Sequence, residues 1–498
     1  MRTALHRWPQ AIAGSDPPQG LEVMKMTKSA LSKQRGGENA TVRLGAPWRG
    51  RKIIVSLLAV GMAAVAGCGG GNTGPHTMSG NRIFEQNRPA TVMIYAEFSA
   101  SPKLVRPVLT DSAIKKLVDK VVTEESRGTI GTDTASFDNA AVEELSANIF
   151  DYFTPSNDPG DFLLEPKGFT QSFIGSGFIV TADGYVITNA HVAAPGDDVL
   201  KDGFSVPFAQ EVAAYELNAW FKVMNDLTDK TLKDFSAAFA EYAYKKMDMG
   251  KTAASFTAVL GVAASGGDTA NKGIRLDLVM AGEPAYVGSQ KDVAIFKMEG
   301  KNNLPTVDIG DDTALQTGDH LYVLGYPKVA TINDFLKPGQ TFEPSFTTGQ
   351  VSGKKTMRGG WSAIQTDASI THGNSGGPVF NDKGQVIGIA TFGSIDEQGN
   401  EIQGFNFLVP TSILKEYLQK AGVKPGESQT TKLYSLGLDA YDGGHFKIAV
   451  TYFTQADNLF PGDEEILSWK QRSAQKVQSG ADSTPFFYCW INACPSNG

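Results

Sequence analysis

Cysteine is scarce in this chain: of 498 residues only Cys68, Cys489 and Cys494 carry a thiol, and none lies between positions 69 and 488. That excludes a disulfide framework for the body of the protein, whose core must come from apolar burial instead. Histidine is almost as sparse, with six residues and no grouping of His, Cys, Asp or Glu at metal-ligand spacing, so neither a metal nor another cofactor is expected. A basic stripe is also lacking. The net charge of −8 is spread along the chain, which argues against nucleic acid as a partner and against attraction to anionic lipid. Long charge runs are few; with 20% charged and 41% apolar residues the chain reads as globular, with length for two or three domains. The apolar run that ends at Cys68, IIVSLLAVGMAAVAGC, is too short to span a bilayer comfortably.

Three short segments stand out against this background: TNAHV with His191, KDVAIF with Asp292 and HGNSGGPVF with Ser375. A serine hydroxyl is a poor nucleophile until a base takes its proton, and an imidazole base needs an acceptor that fixes its tautomer. His191 and Asp292 suit those two roles beside Ser375. A tight turn through Gly373, Asn374 and Ser375 would aim the N–H groups of Gly373 and Ser375 at one point, an oxyanion hole. Each segment alone has an ordinary reading as a polar turn, a strand-end histidine or a buried strand. Together they have context: FIVTADGYVITNAHV reads as a hairpin turning at Asp183-Gly184, and DVAIFKM and PVFNDKGQVIGIATFG read as strands with turn signals.

In order along the chain, GSGFIVTADGYVITNAHV, KDVAIFKM, LQTGDHLYVLGYP, TTGQVSG, QTDASITHGNSGGPVF and GFNFLVP resemble the blocks of the trypsin-fold bacterial proteases of the Deg/HtrA type, over roughly residues 86–420. The resemblance implies a mainly β fold with α additions: a chymotrypsin/trypsin-like double β-barrel with the active site between barrels. It assigns His191, Asp292 and Ser375 as base, orienter and nucleophile, and the order His, Asp, Ser agrees with that fold. It further implies a substrate pocket among Ser369, Ile370, Thr391, Phe392, Gly393 and Gly404, with Ser369 at its base and Ile370 narrowing it toward aliphatic side chains. His372 would line the cleft or sit in a solvated loop. Asn374 stands where animal trypsin-like enzymes use an aspartate to pair with a newly cut N-terminal amine, so activation by such cleavage is not expected.

The chain departs from that family in several places. No PDZ-like segment follows the protease region, expected over 86–425. Two insertions interrupt it, at about 101–170 and 206–250; the second has apolar residues at helical spacing (Phe208, Val212, Tyr215, Ala219, then Leu232, Phe235, Phe239, Tyr242) and reads as a helical hairpin leaving the barrel near His191. The first contains helix-like AIKKLVDKVVTEE and AVEELSANIFDYF.

Both ends carry further signals. VAGC resembles a lipoprotein lipobox, which makes 1–68 a leader and signal peptide, with cleavage before Cys68 and lipidation of that residue. A simple secretion signal cut near Ala66 and an uncleaved anchor are the alternatives. The polar stretch 1–48 is long for such a leader, and translation is expected to begin further along. GGGNTGPHTMSG opens a flexible tether over 69–85. With Gly69 after the cysteine, sorting to an outer membrane is expected where the host has two, the lipid being the sole membrane contact. Over 426–480, Leu436, Gly437, Ala449, Phe453, Ala456 and Pro461 fall at the spacing of one tetratricopeptide repeat, or of a generic helical hairpin. A single repeat cannot bury both faces, so the helix around Ile466 and Trp469, or the protease, must cover it. The tail 481–498 holds an aromatic cluster and a candidate disulfide, Cys489 to Cys494. The expectation is an extracytoplasmic, lipid-tethered, ATP-independent serine endopeptidase acting on misfolded or envelope polypeptides, with a protein partner for the helical unit. The alternative is a protease-derived binding scaffold.

Overall fold

Alternating burial builds strands here, and the strands close on themselves. In the strand Thr91–Ala100, side chains from Tyr95 onward alternate between half-buried and buried, the period-2 pattern of a sheet with one face on a core. The structure, a computed structural model, describes residues 77–158, 160–164, 168–196, 199–203, 227–260, 263–264, 273–282, 291–327, 341–395 and 401–484. Of two contact-defined units, Pro75–Leu217 with Asp226–Gly498 contains all of them, and Met1–Gly74 with Asn218–Asn225 lies outside them. Cys68, Cys489, Cys494 and the first half of the expected 206–250 hairpin therefore lie outside the described residues.

Two closed barrels of six strands each organise the unit. Around the first, the order is Thr91–Ala100, Phe169–Ile179, Tyr185–Thr188, Ala294–Met298, Ile274–Ala281 and Ala253–Leu260; around the second it is His320–Gly325, Ser345–Thr356, Ser362–Thr366, Glu401–Pro410, Val386–Ile395 and Pro378–Phe380. Every pairing within them is antiparallel. Gly184, at φ 97°, turns the chain between Phe169–Ile179 and Tyr185–Thr188, a backbone state that favours glycine. One apolar cluster spans both barrels, joining Phe178, Ile187 and Ile295 to Leu324, Phe380 and Val409, and it takes in Ile83 from the N-terminal side and Leu414 from the helix Thr411–Lys420.

The two insertions form one helical layer. Helices Asp111–Ser126 and Thr134–Ala147 come from the first and Asp229–Lys246 from the second. Thr228 caps the last of these, and its N–H also donates to Asn139 Oδ1 at 2.9 Å, an acceptor shared with Thr231 Oγ1 at 2.7 Å. Phe235, Phe239 and Tyr242 project from one face of that helix and are at most 1% exposed; Phe153 lies edge-on to Phe239 at 5.7 Å between ring centroids.

The stretch expected as a flexible tether up to residue 85 needs correction. Ser79 caps the helix Gly80–Asn87, and Ile83 within it is fully buried. Three helices, Gln429–Asp442, Phe446–Leu459 and Glu464–Gln478, make the C-terminal unit around Tyr434, Phe453, Ile466 and Trp469. The unit is covered on two sides: Tyr434 and Trp469 donate to Glu85 of the N-terminal helix, and Thr431 and Ser428 bond to Thr306 beside the first barrel. Gly437 lets two of the helices approach closely, since a Cβ there would stand 2.6 Å from the Phe453 ring. Alanine ordinarily gains about 1 kcal/mol over glycine within a helix. Here Gly437→Ala should instead lower stability by about 1–3 kcal/mol, the cost of overpacking, as read by denaturant unfolding; a stabilised variant would show that the contact relaxes freely.

Candidate active site

His191 and Asp292 meet because the strands that precede and follow them are neighbours. Tyr185–Thr188 pairs antiparallel with Ala294–Met298, Thr188 opposite Ala294, so the chain leaving one strand and the chain entering the other share one end of the sheet. His191 stands in the short helix Ala190–Ala193 just beyond it. Its Nδ1 lies 2.8 Å from Asp292 Oδ2, and its backbone N–H donates to Oδ1 at 2.9 Å. Because a carboxylate accepts, this pair places the ring proton on Nδ1 and leaves Nε2 as the basic atom. Asp292 is fully buried. Asn189 Nδ2 donates to its backbone carbonyl at 2.8 Å, and Thr391 Oγ1 donates to Oδ2. Burial opposes charge on both partners. The facing charges and shared hydrogen bond outweigh it, holding the imidazole above and the carboxyl below their ordinary values.

Ser375 comes from the second barrel, in the turns that precede Pro378–Phe380. Asn374 N–H donates to Thr371 C=O at 3.0 Å, closing a turn in which Gly373 has φ 101°; a positive φ at this third position is the mark of a type II turn and favours glycine. Among the described residues, the N–H groups of Gly373 and Ser375 have no hydrogen-bond acceptor. The next residue, Gly376 at φ 88°, admits no side chain, since a Cβ would lie 2.1 Å from Ser176 O. Ser375 Oγ donates to Thr391 C=O at 2.9 Å, and no hydrogen bond joins it to His191. Thr391 thus touches two of the three residues, its hydroxyl on Asp292 and its carbonyl on Ser375.

The expected pocket assembles only in part. From Asp367 to Ile370 exposure alternates, so Ser369 is exposed while Ile370, 3% exposed, packs with Leu321, Val351 and Ala390 inside the second barrel. Neither the placement of Ser369 at a buried base nor the narrowing role of Ile370 holds, because that alternation turns Ser369 outward and Ile370 into the core. Gly393 pairs with Asn406, whose Nδ2 donates to Ala368 C=O at 2.7 Å and whose Oδ1 would lie 2.8 Å from a Cβ on Gly393. Asn406, 1% exposed, therefore fills the space between these walls. Gly404, at φ 84°, lies within the break in the pairing register between Asn406 and Ile402 and has no paired residue opposite it; the Phe392 side chain is outside the described residues. His372 is exposed. Among the described residues, no group of three His, Cys, Asp or Glu side chains is placed to hold a metal, and no helix is long and apolar enough to cross a membrane.

Two antiparallel six-stranded barrels, with His191 and Asp292 from one and Ser375 and Thr391 from the other, leave one architecture. The fold is the trypsin-like double β-barrel. Residues 250–389 match the trypsin-like peptidase domain, a span that includes Asp292 and Ser375 and begins after His191. The chain is 28% identical over 254 residues to a probable periplasmic serine endoprotease DegP-like of Pseudomonas putida, covering 50% of this chain and 35% of that protein. It is 36% identical over 122 residues to the serine protease Do-like HtrB of Bacillus subtilis, covering 23% of this chain and 24% of the relative. This chain thus spans about a third or less of the length of these relatives. Among solved structures, the HtrA-type protease AlgW with decapeptide is similar at 19% identity and a TM-score of 0.34, over 69% of this chain and 67% of that one.

Proposed function

We propose that this trypsin-like domain is an HtrA-like serine endopeptidase acting on polypeptides outside the cytoplasm. The observation that carries the reading is the His191–Asp292 pair, whose remaining ring nitrogen is free to act as a base for Ser375. In the proposed reaction Ser375 Oγ turns from Thr391 C=O toward His191 Nε2, gives up its proton there and attacks the scissile carbonyl. Asp292 stabilises the imidazolium without taking the proton. The negative oxygen of the tetrahedral intermediate accepts from Gly373 and Ser375 N–H. His191 then protonates the leaving amine, and a water activated by the same nitrogen hydrolyses the acyl-enzyme. A fluorophosphonate should label Ser375 in the folded protein and fail with Ser375→Ala. Absence of labelling would favour the rival reading, a scaffold with little catalysis, for which the Ser375 to Thr391 bond is the supporting observation.

The base must be neutral to work. Since its partner raises His191, more of it is protonated at a given pH than for an ordinary histidine, and the acid limb of kcat/KM should lie above the usual value of about 6.5. Activity is then lost as pH falls through that raised value. A pH profile of peptide hydrolysis tests this, and a limb below 6 would contradict it.

The location reading rests on the VAGC signal at Cys68 and on relatives described as periplasmic. Cys68→Ser should move the protein from the membrane to the soluble fraction and abolish incorporation of labelled fatty acid. The C-terminal helices are proposed to carry a repeat-like unit for a protein partner, on the spacing of Gly437, Ala449, Phe453 and Ala456.

A further inference from the structure

We infer that Ser176 is a positioning residue for the oxyanion hole, because it holds the carbonyls of both residues whose N–H groups would form that hole. The inference rests on the peptidase reading above. Ser176 is fully buried in Phe169–Ile179, a strand of the first barrel, across the barrel junction from Ser375. Its backbone N–H donates to Ser375 C=O at 2.8 Å. Its hydroxyl donates to Gly373 C=O at 2.6 Å and accepts Tyr326 N–H at 2.8 Å. These directions are unambiguous, since an amide N–H can only donate and a carbonyl can only accept. Ser176 C=O is occupied in turn by Thr188 Oγ1 at 2.7 Å.

The turn needs such a hold. Gly373, at φ 101°, is the residue type that crosses most readily between positive and negative φ, and such a crossing would swing its N–H away from the substrate oxygen. Asn374 does not supply the restraint through its side-chain oxygen, which is buried without a hydrogen-bond partner. Anchoring the Gly373 carbonyl restrains the peptide plane that follows this glycine, and anchoring the Ser375 carbonyl restrains the plane that follows the serine, so the turn is held on both sides of Asn374. Close approach is what permits it: a Cβ on Gly325 would meet Asn374 Oδ1 at 2.7 Å and Ser176 Oγ at 3.0 Å.

The test compares Ser176→Ala and Ser176→Cys with the wild-type full chain in three measurements: kcat, KM, and affinity for a peptidyl trifluoromethyl ketone, whose hemiketal oxygen occupies the hole. Removing a hole donor outright costs about 10²–10³ in kcat. Loosening the donors in Ser176→Ala should lower kcat and ketone affinity together by about 10- to 100-fold, with KM within about twofold. Ser176→Cys keeps a weak donor and should fall between. Thermal unfolding establishes whether Ser176→Ala folds; if it does not, the cysteine variant carries the same comparison against wild type. Unchanged kcat and ketone affinity, or a fall in kcat with ketone affinity intact, would overturn the inference. Turnover that is lost in Ser375→Ala but untouched in the Ser176 variants would leave the peptidase reading standing and remove only this one.

Discussion

Ser375→Ala should reduce peptide hydrolysis by on the order of 10⁴- to 10⁶-fold while the protein stays folded. The substitution removes one hydroxyl. Its only hydrogen bond among the described residues is to Thr391 C=O, so the structural cost is one unmade bond, about 1 kcal/mol. The chemical cost is the nucleophile itself. His191→Ala should be comparably severe, since a hydroxyl without a base is nearly inert, and it also strips the fully buried Asp292 of the hydrogen bond from the ring, leaving it the backbone N–H of residue 191 and the Thr391 hydroxyl. The two losses should not add: once either residue is gone the other has nothing to act on, and the double variant should resemble each single one. Steady-state hydrolysis of a peptide library, with circular dichroism to confirm folding, decides it. Wild-type turnover in Ser375→Ala would remove the assignment.

The largest effect on stability is expected at Arg88. This residue is 9% exposed and lies under the C-terminal helices. Its guanidinium sits 3.6 Å from Glu85 and 3.8 Å from Glu343, and in still closer contact with Glu465. Arg88→Met keeps much of the stem and removes the charge, leaving Glu85 and Glu465 facing one another in a nearly dry site. Breaking a buried ion pair from one side costs about 3–5 kcal/mol, because the remaining charge stays buried without compensation.

Asp463 gives that loss a pH dependence. Burial pushes its carboxyl up to about 6, although the helix-cap hydrogen bond from Ile466 and the charge of Arg88 pull the other way. A carboxyl raised in the folded state binds its proton more tightly there than when unfolded, so this group lowers stability progressively as pH rises from about 4 to 6. Without Arg88 the carboxyl should rise further, and the deficit of Arg88→Met should be larger at pH 8 than at pH 5. Urea unfolding at both values checks the sign. A deficit under about 1 kcal/mol, or one that shrinks with rising pH, would show that the cluster is hydrated enough to screen itself.

How much of this was legible beforehand depends on how far apart the partners lie in the chain. The Asp183-Gly184 turn and the strands beside it could be read from a few neighbouring residues, and so could the helix around Phe235, Phe239 and Tyr242, because period 2, period 3.6 and a glycine with positive φ are local properties. The pocket was not readable in the same way. The resemblance puts Ser369 at the pocket base and has Ile370 narrow the pocket, whereas the observed alternation turns Ser369 outward and Ile370 into the core. Both residues lie past the end of the strand Ser362–Thr366, and packing against Leu321, Val351 and Ala390, all distant in the chain, decides which of them turns inward.

By itself, then, the sequence determined the local elements and nominated His191, Asp292 and Ser375 through the company each keeps in its own segment. Tertiary structure alone decided which groups meet. The two insertions join through Asn139, Thr228 and Thr231; Arg88 reaches Glu465 from the opposite end of the chain; Thr391 reaches both Asp292 and Ser375. Ser176, inconspicuous between two glycines, grips the turn around Ser375 from the other barrel. Hydrogen bonds and ion pairs act over about 3 Å whatever the separation along the chain, so residue type and spacing can announce a helix or a turn, while a contact between elements exists only once the barrels have closed and brought them together.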